Sequence, residues 1–315
     1  MLLLPAITAK VRAVAHPDTG GAACVCAATP TPLADRPDAT VVRHADTVAK
    51  AHAPGTDPAE LTLRLAMAAR LQDVLLAPLV PTPTPLRDRL VTFWPYGAPV
   101  DPDARDAVPW EATATLLARL HRTAPLDGLP PMRGPAKVAR ALARLRTAPR
   151  AETHPAAGPV LRAWAALPAW ARAEAPLPGT PALCHGDLHL GQLVRHPAPD
   201  GPWRLIDIDD LGTGVPAWDL ARPAAWYACG LLPADEWTRF LGAYRRAGGP
   251  AVPAAGDPWP VLDVPARALT VQTAALALTK ALTAGRPLDE VEQQLVDACA
   301  RMAPIPYQLA PGCPH

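Results

Sequence analysis

The chain has 315 residues, 50% of them hydrophobic and 19% charged, with 30 Lys and Arg against 29 Asp and Glu for a formal net charge of +1. Such a composition supports a sizeable core and excludes simple disorder, while the balanced charge offers no broad attraction to nucleic acid or an anionic membrane. Neither serine nor asparagine occurs, which excludes a serine nucleophile and Asn-linked glycosylation.

The opening MLLLPAITAK has no basic residue before its apolar run, and Pro5 cuts that run below the length of a signal core. No uncharged apolar stretch reaches the ~18 residues that read as a membrane span. A soluble, cytoplasmic protein without nucleic-acid or membrane partners is expected. The cysteines (Cys24, Cys26, Cys184, Cys229, Cys299, Cys313) are scattered, and Cys24-x-Cys26 lacks the second pair a zinc site needs, so they read as reduced packing residues.

Residues 40–52, TVVRHADTVAKAH, predict two β-branched strands around a turn at Ala45 and Asp46. A helix over 58–72 follows, with Asp57 as its cap, Pro58 at its first position and an apolar stripe of Leu61, Leu65, Ala68 and Leu71. Two apolar stretches, 75–80 and 90–94, straddle a Pro-rich turn. Trp94 to Pro99 then reads as an extended linker, which sets a boundary between domains 1–97 and 98–315. Leu116, Leu117 and Leu120 predict a buried helix after Pro109, and 125–180 reads as helical pieces between prolines. Short strands are expected over Gln192–Val194 and Arg204–Ile208, a helix from about Pro216, and further helices over 262–283 and 289–302. The fold class is thus α+β, a small β-containing part followed by a larger helical one.

The chemistry concentrates in HGDLHLGQ (185–192) and LIDIDD (205–210). Paired strands would bring Asp187, Gln192 and Asp207 into one cleft. One carboxylate there could take the proton of an attacking hydroxyl, while a carboxylate and an amide oxygen, both hard ligands, could hold Mg²⁺ against phosphate oxygens.

These strings, followed by a Gly turn and AWDLA, resemble the aminoglycoside phosphotransferase family, small-molecule kinases with a two-lobed protein-kinase-like fold. The resemblance implies an ATP- and Mg²⁺-dependent transfer to a hydroxyl of an aminoglycoside or other sugar-like compound. It assigns Asp187 as the catalytic aspartate, Gln192 and Asp207 as metal ligands, and Asp219 as a brace of the catalytic loop. Lys50 in TVAKAH resembles the lysine on the nucleotide phosphates, with Glu60 either its ion-pair partner or part of a capping box with Asp57. Phe93, Trp94 and Tyr96 resemble the hinge whose backbone meets adenine. Two departures stand out. Gln192 replaces the usual Asn and carries its amide about one bond length, ~1.5 Å, further out, a feature similar to maltokinase-like sugar kinases. Val215 stands where the family often has Asp. No glycine-rich phosphate loop is found: Gly20-Gly21 is isolated.

Other readings attach to the same residues. His185 and His189 in H-x-D-x-H suit a metal-dependent hydrolase, or His185 packs inside the loop. The chain could also bind nucleotide without turnover. Asp209 and Asp210 read as solvated turn residues or caps beside a supporting role in the site. Trp218, Trp226, Tyr227 and Trp237 are core or an acceptor-pocket wall. Asp289, Glu290, Glu292 and Asp297 are a helix start or an attraction for a polycation.

Overall fold

The computed structural model describes residues 3–17, 29–101, 103 and 108–307. Gly20-Gly21, Cys24, Cys26 and Cys313 lie outside them. The chain forms two compact units, Met1–Val108 with Leu126–Pro130 and Leu190–Asp209, and Pro109–Pro125 with Pro131–His189 and Asp210–His315. Where the sequence suggested one boundary after Gly97, the chain returns to the first unit twice.

The first unit contains α1 (Leu3–Ala15), β1 (Thr31–Arg36), β2 (Ala39–His44), β3 (Thr47–Ala51), α2 (Pro58–Arg70), β4 (Thr84–Leu86) and β5 (Arg89–Pro95). Its antiparallel sheet has the order β1-β2-β3-β5-β4. The expected hairpin is β2–β3, with Ala45 in the left-handed region at its turn. Helix α1 and strand β1 were not among the expected elements. Ile7 and Val11, one helical turn apart on α1, pack against Val42, Ala49, Ala51, Val91 and Phe93 of the sheet. Full burial of each such side chain stabilises by roughly 1.5–3 kcal/mol, and Pro5 is tolerated because it falls in the first turn.

Helix α2 begins as expected: the Asp57 carboxylate accepts from the N–H groups of Ala59 and Glu60 at 2.8 and 3.0 Å. Leu61, Leu65 and Ala68 are buried, joined by Arg64 and Met67, while Leu71 is the half-buried C-cap. A small antiparallel ribbon of Ala98–Pro99, Leu193–Arg195 and Trp203–Leu205 completes this unit. Both expected strands are thus displaced. Gln192 closes a 3-10 turn, and the segment after Leu205 leaves the ladder, with Asp207 at φ 66°.

The second unit contains α3 (Trp110–His121), α4 (Gly134–Thr147), α5 (Ala157–Ala165), α6 (Ala221–Ala228), α7 (Ala234–Arg246), α8 (Trp259–Ala284) and α9 (Glu290–Met302). Strand Ala182–Cys184 pairs antiparallel with Gly212–Gly214. The helix expected from Pro216 starts as a 3-10 turn, Pro216–Trp218, and becomes α-helical at Ala221. Helices α4, α5, α6 and α9 pack on α8. Among the described residues α8 alone is long and apolar enough to cross a membrane, yet 67% of its apolar window is buried. A helix enclosed by others is apolar around its whole circumference.

Cys184, Cys229 and Cys299 are buried free thiols. Burial lifts the Cys299 thiol to about 12. The acidic run at 289–297 serves its helix: Asp289 and Glu292 form a capping box, Arg286 holds Glu292, and Gln293 donates to Asp297. Trp237 is buried and Tyr227 stacks on it at 5.6 Å, a packing role.

Candidate active site

In the first unit, strand alternation sends Lys50 of β3 and His52, the residue just beyond its end, to one face. Lys50 Nζ lies 2.7 Å from Asp207 Oδ1 and 3.0 Å from Asp209 Oδ2, though 157 residues separate Lys50 from Asp207. His52 Nδ1 is 2.7 Å from Asp209 Oδ1, and His52 Nε2 is 2.9 Å from the Thr92 hydroxyl. The Trp94 indole N–H donates to that hydroxyl. The network therefore favours the tautomer with its proton on Nδ1, facing Asp209. Burial by itself would lower the Lys50 ammonium, but the carboxylates of Asp209 and Asp207 outweigh it and hold it above the ordinary lysine value. Burial would likewise raise Asp209, and the Lys50 charge together with the hydrogen bonds from His52 and Lys50 pulls it far below the carboxylate range instead. Asp209 is consequently an ion-paired member of the cluster, not a solvated turn residue.

Asp207 adopts a left-handed backbone, a conformation that costs an ordinary residue roughly 1–2 kcal/mol and that Asp tolerates better than most. Gln192 is 8% exposed, and its amide nitrogen stands 3.4 Å from Asp207 Oδ2. The longer side chain therefore still reaches the aspartate. Two carboxylates and an amide oxygen are hard donors of the type Mg²⁺ takes, and they outnumber the single ammonium among them. This donor set fits a divalent cation.

Glu60 does not join this cluster. Its carboxylate lies 3.1 Å from Arg64, one turn along α2, and Lys50 is paired to the two aspartates instead. Nor is a reciprocal capping box formed with Asp57, because Asp57 accepts at this helix start and the Glu60 side chain turns to Arg64. At the hinge-like segment, Phe93 is buried in the sheet core and its carbonyl accepts from Leu79 N–H. Tyr96 N–H donates to Asp46 O, Tyr96 O accepts from His196, and the ring lies under the Arg43 guanidinium at 3.3 Å. Tyr96 N–H is thus already committed within the unit.

In the second unit, the strand Ala182–Cys184 delivers the HGD turn. Gly186 has φ 82°, and a Cβ there would stand 2.4 Å from Asp210 O, so both conformation and space require glycine. Asp219 is fully buried and accepts from His185 N–H at 2.6 Å and Gly186 N–H at 2.7 Å. His121 Nε2 meets the same carboxylate at 3.1 Å, and His121 Nδ1 meets Tyr244 OH at 2.7 Å, which also accepts from Ala251 N–H. The loop backbone is held by a buried, fully connected polar chain.

So held, Asp187 faces two cations. Oδ2 is 2.7 Å from Lys137 Nζ and Oδ1 is 3.0 Å from Arg222, whose Nε donates to Leu188 O. Lys137 also lies 2.8 Å from Asp210, which is therefore ion-paired rather than solvated. Burial would raise Asp187, but Lys137, then Arg222 and His189, hold it below the ordinary carboxylate value. Lys137 is itself raised, Asp210 and Asp187 outweighing the effect of burial. Lys137, Arg222 and His52 escaped the sequence reading. The i, i+2 spacing of Lys50 and His52 in a strand was a usable signal for His52. For the other two, 50 and 35 residues from Asp187 along the chain, no spacing rule applies.

His185 is fully buried, which matches packing inside the loop. Among the described residues, the single group of three or more His, Cys, Asp or Glu close enough to share a metal is His121, Cys184 and Asp219, which includes neither His185 nor His189. Burial lifts the Cys184 thiol well above its usual value, so it stays protonated and ligates poorly. That group braces the loop, and neither His185 nor His189 belongs to such a group among the described residues.

Comparison with known proteins follows the same line. Residues 31–259 match the model of the phosphotransferase enzyme family. No curated protein sequence matches the chain. Similar solved structures include a choline/ethanolamine kinase family protein from Mesorhizobium loti, at 18% identity, TM-score 0.58, over 95% of this chain and 94% of that one. A thermostable mutant of an aminoglycoside phosphotransferase shares 13% identity over 91% and 97%, TM-score 0.59. A spectinomycin phosphotransferase in complex with ADP and spectinomycin shares 12% over 87% and 89%, TM-score 0.56. At such identities the likeness is one of fold, an α+β kinase-like fold. The match of the family model over most of its length means that this chain belongs to the phosphotransferase enzyme family.

Proposed function

We propose that the protein is an ATP- and Mg²⁺-dependent kinase that moves the γ-phosphoryl group to a hydroxyl of a small molecule, an aminoglycoside or another sugar-like compound. The observation that carries this reading is the Lys50–Asp207–Asp209 cluster. It combines a cation for phosphate oxygens with hard oxygen donors for a divalent ion, in a family of phosphotransferases. Lys50 would bind nucleotide phosphates once its carboxylates engage the cation, with Gln192 adding its amide oxygen. Mg²⁺ would supply neutralisation of the phosphate charge. The adenine would meet the backbone of 93–97 at groups other than Tyr96 N–H.

Asp187 would orient the acceptor hydroxyl. The acceptor oxygen forms its bond to the γ-phosphorus as the bond to the β–γ bridging oxygen breaks, ADP leaves, and the hydroxyl proton passes to Asp187. A carboxylate held ionised by Lys137 and Arg222 is a weak base, so its contribution is chiefly positioning, with proton transfer late. The brace through Asp219 keeps that geometry fixed. An ADP-release assay across hydroxyl acceptors tests the assignment. Asp187→Ala should lower kcat by about 10²–10⁴, the usual range for a positioned acid–base group, while Mg-ATP titration stays near wild type. Wild-type turnover in that variant overturns the role of Asp187. Asp207→Ala should weaken Mg²⁺-dependent nucleotide binding, and an unchanged titration removes its metal role.

A further inference from the structure

One face of strands β3 and β5 is apolar: Ala49, Ala51, Val91 and Phe93 join the core under α1. The other carries Lys50, Thr92 and Trp94. His52 continues that face, because Lys50 pairs with Thr92 in register and His52 N–H donates to Leu90 O just beyond the strand. His52 is 1% exposed and Thr92 is fully buried. The Trp94 indole N–H donates to the Thr92 hydroxyl at 2.8 Å, that hydroxyl lies 2.9 Å from His52 Nε2, and His52 Nδ1 lies 2.7 Å from Asp209 Oδ1. Asp209 Oδ2 in turn meets Lys50 Nζ at 3.0 Å. All five residues belong to the first unit.

A hydroxyl that accepts from the indole has its own proton to give to Nε2, which leaves the ring proton on Nδ1, facing Asp209. That bond restrains the carboxylate. The terminal torsion of an aspartate is broad and two-fold, so a side chain in a turn, 30% exposed, exchanges its oxygens unless one of them is held. A buried ring pinned at its far nitrogen holds Oδ1 and keeps Oδ2 on the Lys50 side. With the Glu60 carboxylate turned to Arg64, the Lys50 ammonium is placed by the aspartates instead. We propose that His52 is a positioning residue of the nucleotide site: backed by Thr92 and Trp94, it fixes Asp209 so that Lys50 is held ready for phosphate oxygens. This rests on the nucleotide role proposed for Lys50 and adds the group that preorganises it. An ammonium with one N–H on Asp209 keeps others for phosphate, and a lysine already fixed loses less side-chain freedom when nucleotide binds. A chain of groups that served folding alone would need no polar atoms here, since apolar side chains of similar shape fill a buried site about as well.

The test is calorimetric titration of the full chain with Mg-ATP, with circular dichroism and a urea midpoint for each variant. His52→Leu removes the hold while filling the space, and should weaken Mg-ATP binding by about tenfold, the scale of one hydrogen bond to a charged group. His52→Asn keeps an N–H donor near the position of Nδ1 and should return the affinity to within about threefold of wild type. Thr92→Val, nearly isosteric, breaks the chain of hydrogen bonds one step back and should weaken binding by about threefold. A purely structural role would lower the urea midpoints, leave the affinity of the folded protein alone and show no rescue by Asn. Wild-type affinity in folded His52→Leu, or an equal loss in His52→Leu and His52→Asn, overturns the inference and leaves the kinase assignment standing. If His52→Leu does not fold, Thr92→Val decides: an unchanged affinity overturns the inference, and failure of both variants to fold makes the chain a scaffold and overturns it as well. No Mg-ATP binding by the wild-type protein overturns the kinase assignment itself.

Discussion

Each unit holds a lysine shared between two aspartates, and the two arrangements differ in what surrounds them. Around Lys50 stand Asp207 and Asp209 with the Gln192 amide beside them, so oxygen donors exceed fixed positive charge. Around Lys137 stand Asp187 and Asp210 with Arg222 added, so charge is closed internally. The first suits a cation that arrives with phosphate. The second suits a carboxylate that must stay ionised and in place without a metal. Similar local chemistry is thus set apart by the balance of charge rather than by residue type.

The largest expected effect comes from loosening the second arrangement. Asp219→Ala leaves the His185 and Gly186 N–H groups and His121 without their buried acceptor, which should cost about 3–5 kcal/mol. A urea midpoint close to wild type would show that the loop is held by other means. Next is Lys50→Met. Losing a charge-assisted contact to phosphate should weaken Mg-ATP binding by about 10–100-fold, read by calorimetric titration. Unchanged affinity would detach Lys50 from the nucleotide.

Lys137→Met sharpens the contrast through pH. Asp187 is held below its ordinary value, so the stability its pairing provides is present above the unfolded carboxylate pKa and fades as pH falls through the lower folded one. Removing Lys137 raises the Asp187 pKa, so the acid limb of the kcat profile should move to higher pH. A limb that stays in place, or moves down, breaks the link between Lys137 and Asp187. The smallest effect on nucleotide affinity belongs to Glu60→Gln, whose carboxylate faces Arg64 and not Lys50, so Mg-ATP affinity should stay unaltered. Weakened nucleotide binding in that variant would mean that Glu60, rather than Asp207 and Asp209, governs Lys50.

Local signals were legible wherever the physics is local. Asp57 followed by Pro58 specifies a helix start from a few neighbouring residues, and the β2–β3 hairpin needs a turn and two β-branched runs. Helix α1 was hidden because Pro5 breaks the apolar run in sequence, while the packing rests on Ile7 and Val11 beyond it. The expected strand at Arg204–Ile208 failed because apolar alternation says nothing of a left-handed residue at Asp207, which turns the chain out of the ladder.

The sequence by itself determined the chemistry-bearing strings, HGDLHLGQ, LIDIDD, AWDLA and TVAKAH, because short-range order along the backbone sets which groups travel together. Only the tertiary structure decided the partners: Lys50 with Asp207 and Asp209 instead of Glu60, and Lys137 and Arg222 with Asp187. Coulomb attraction and desolvation depend on distance in space, and residues tens to more than a hundred positions apart acquire that distance only when helices and sheet pack.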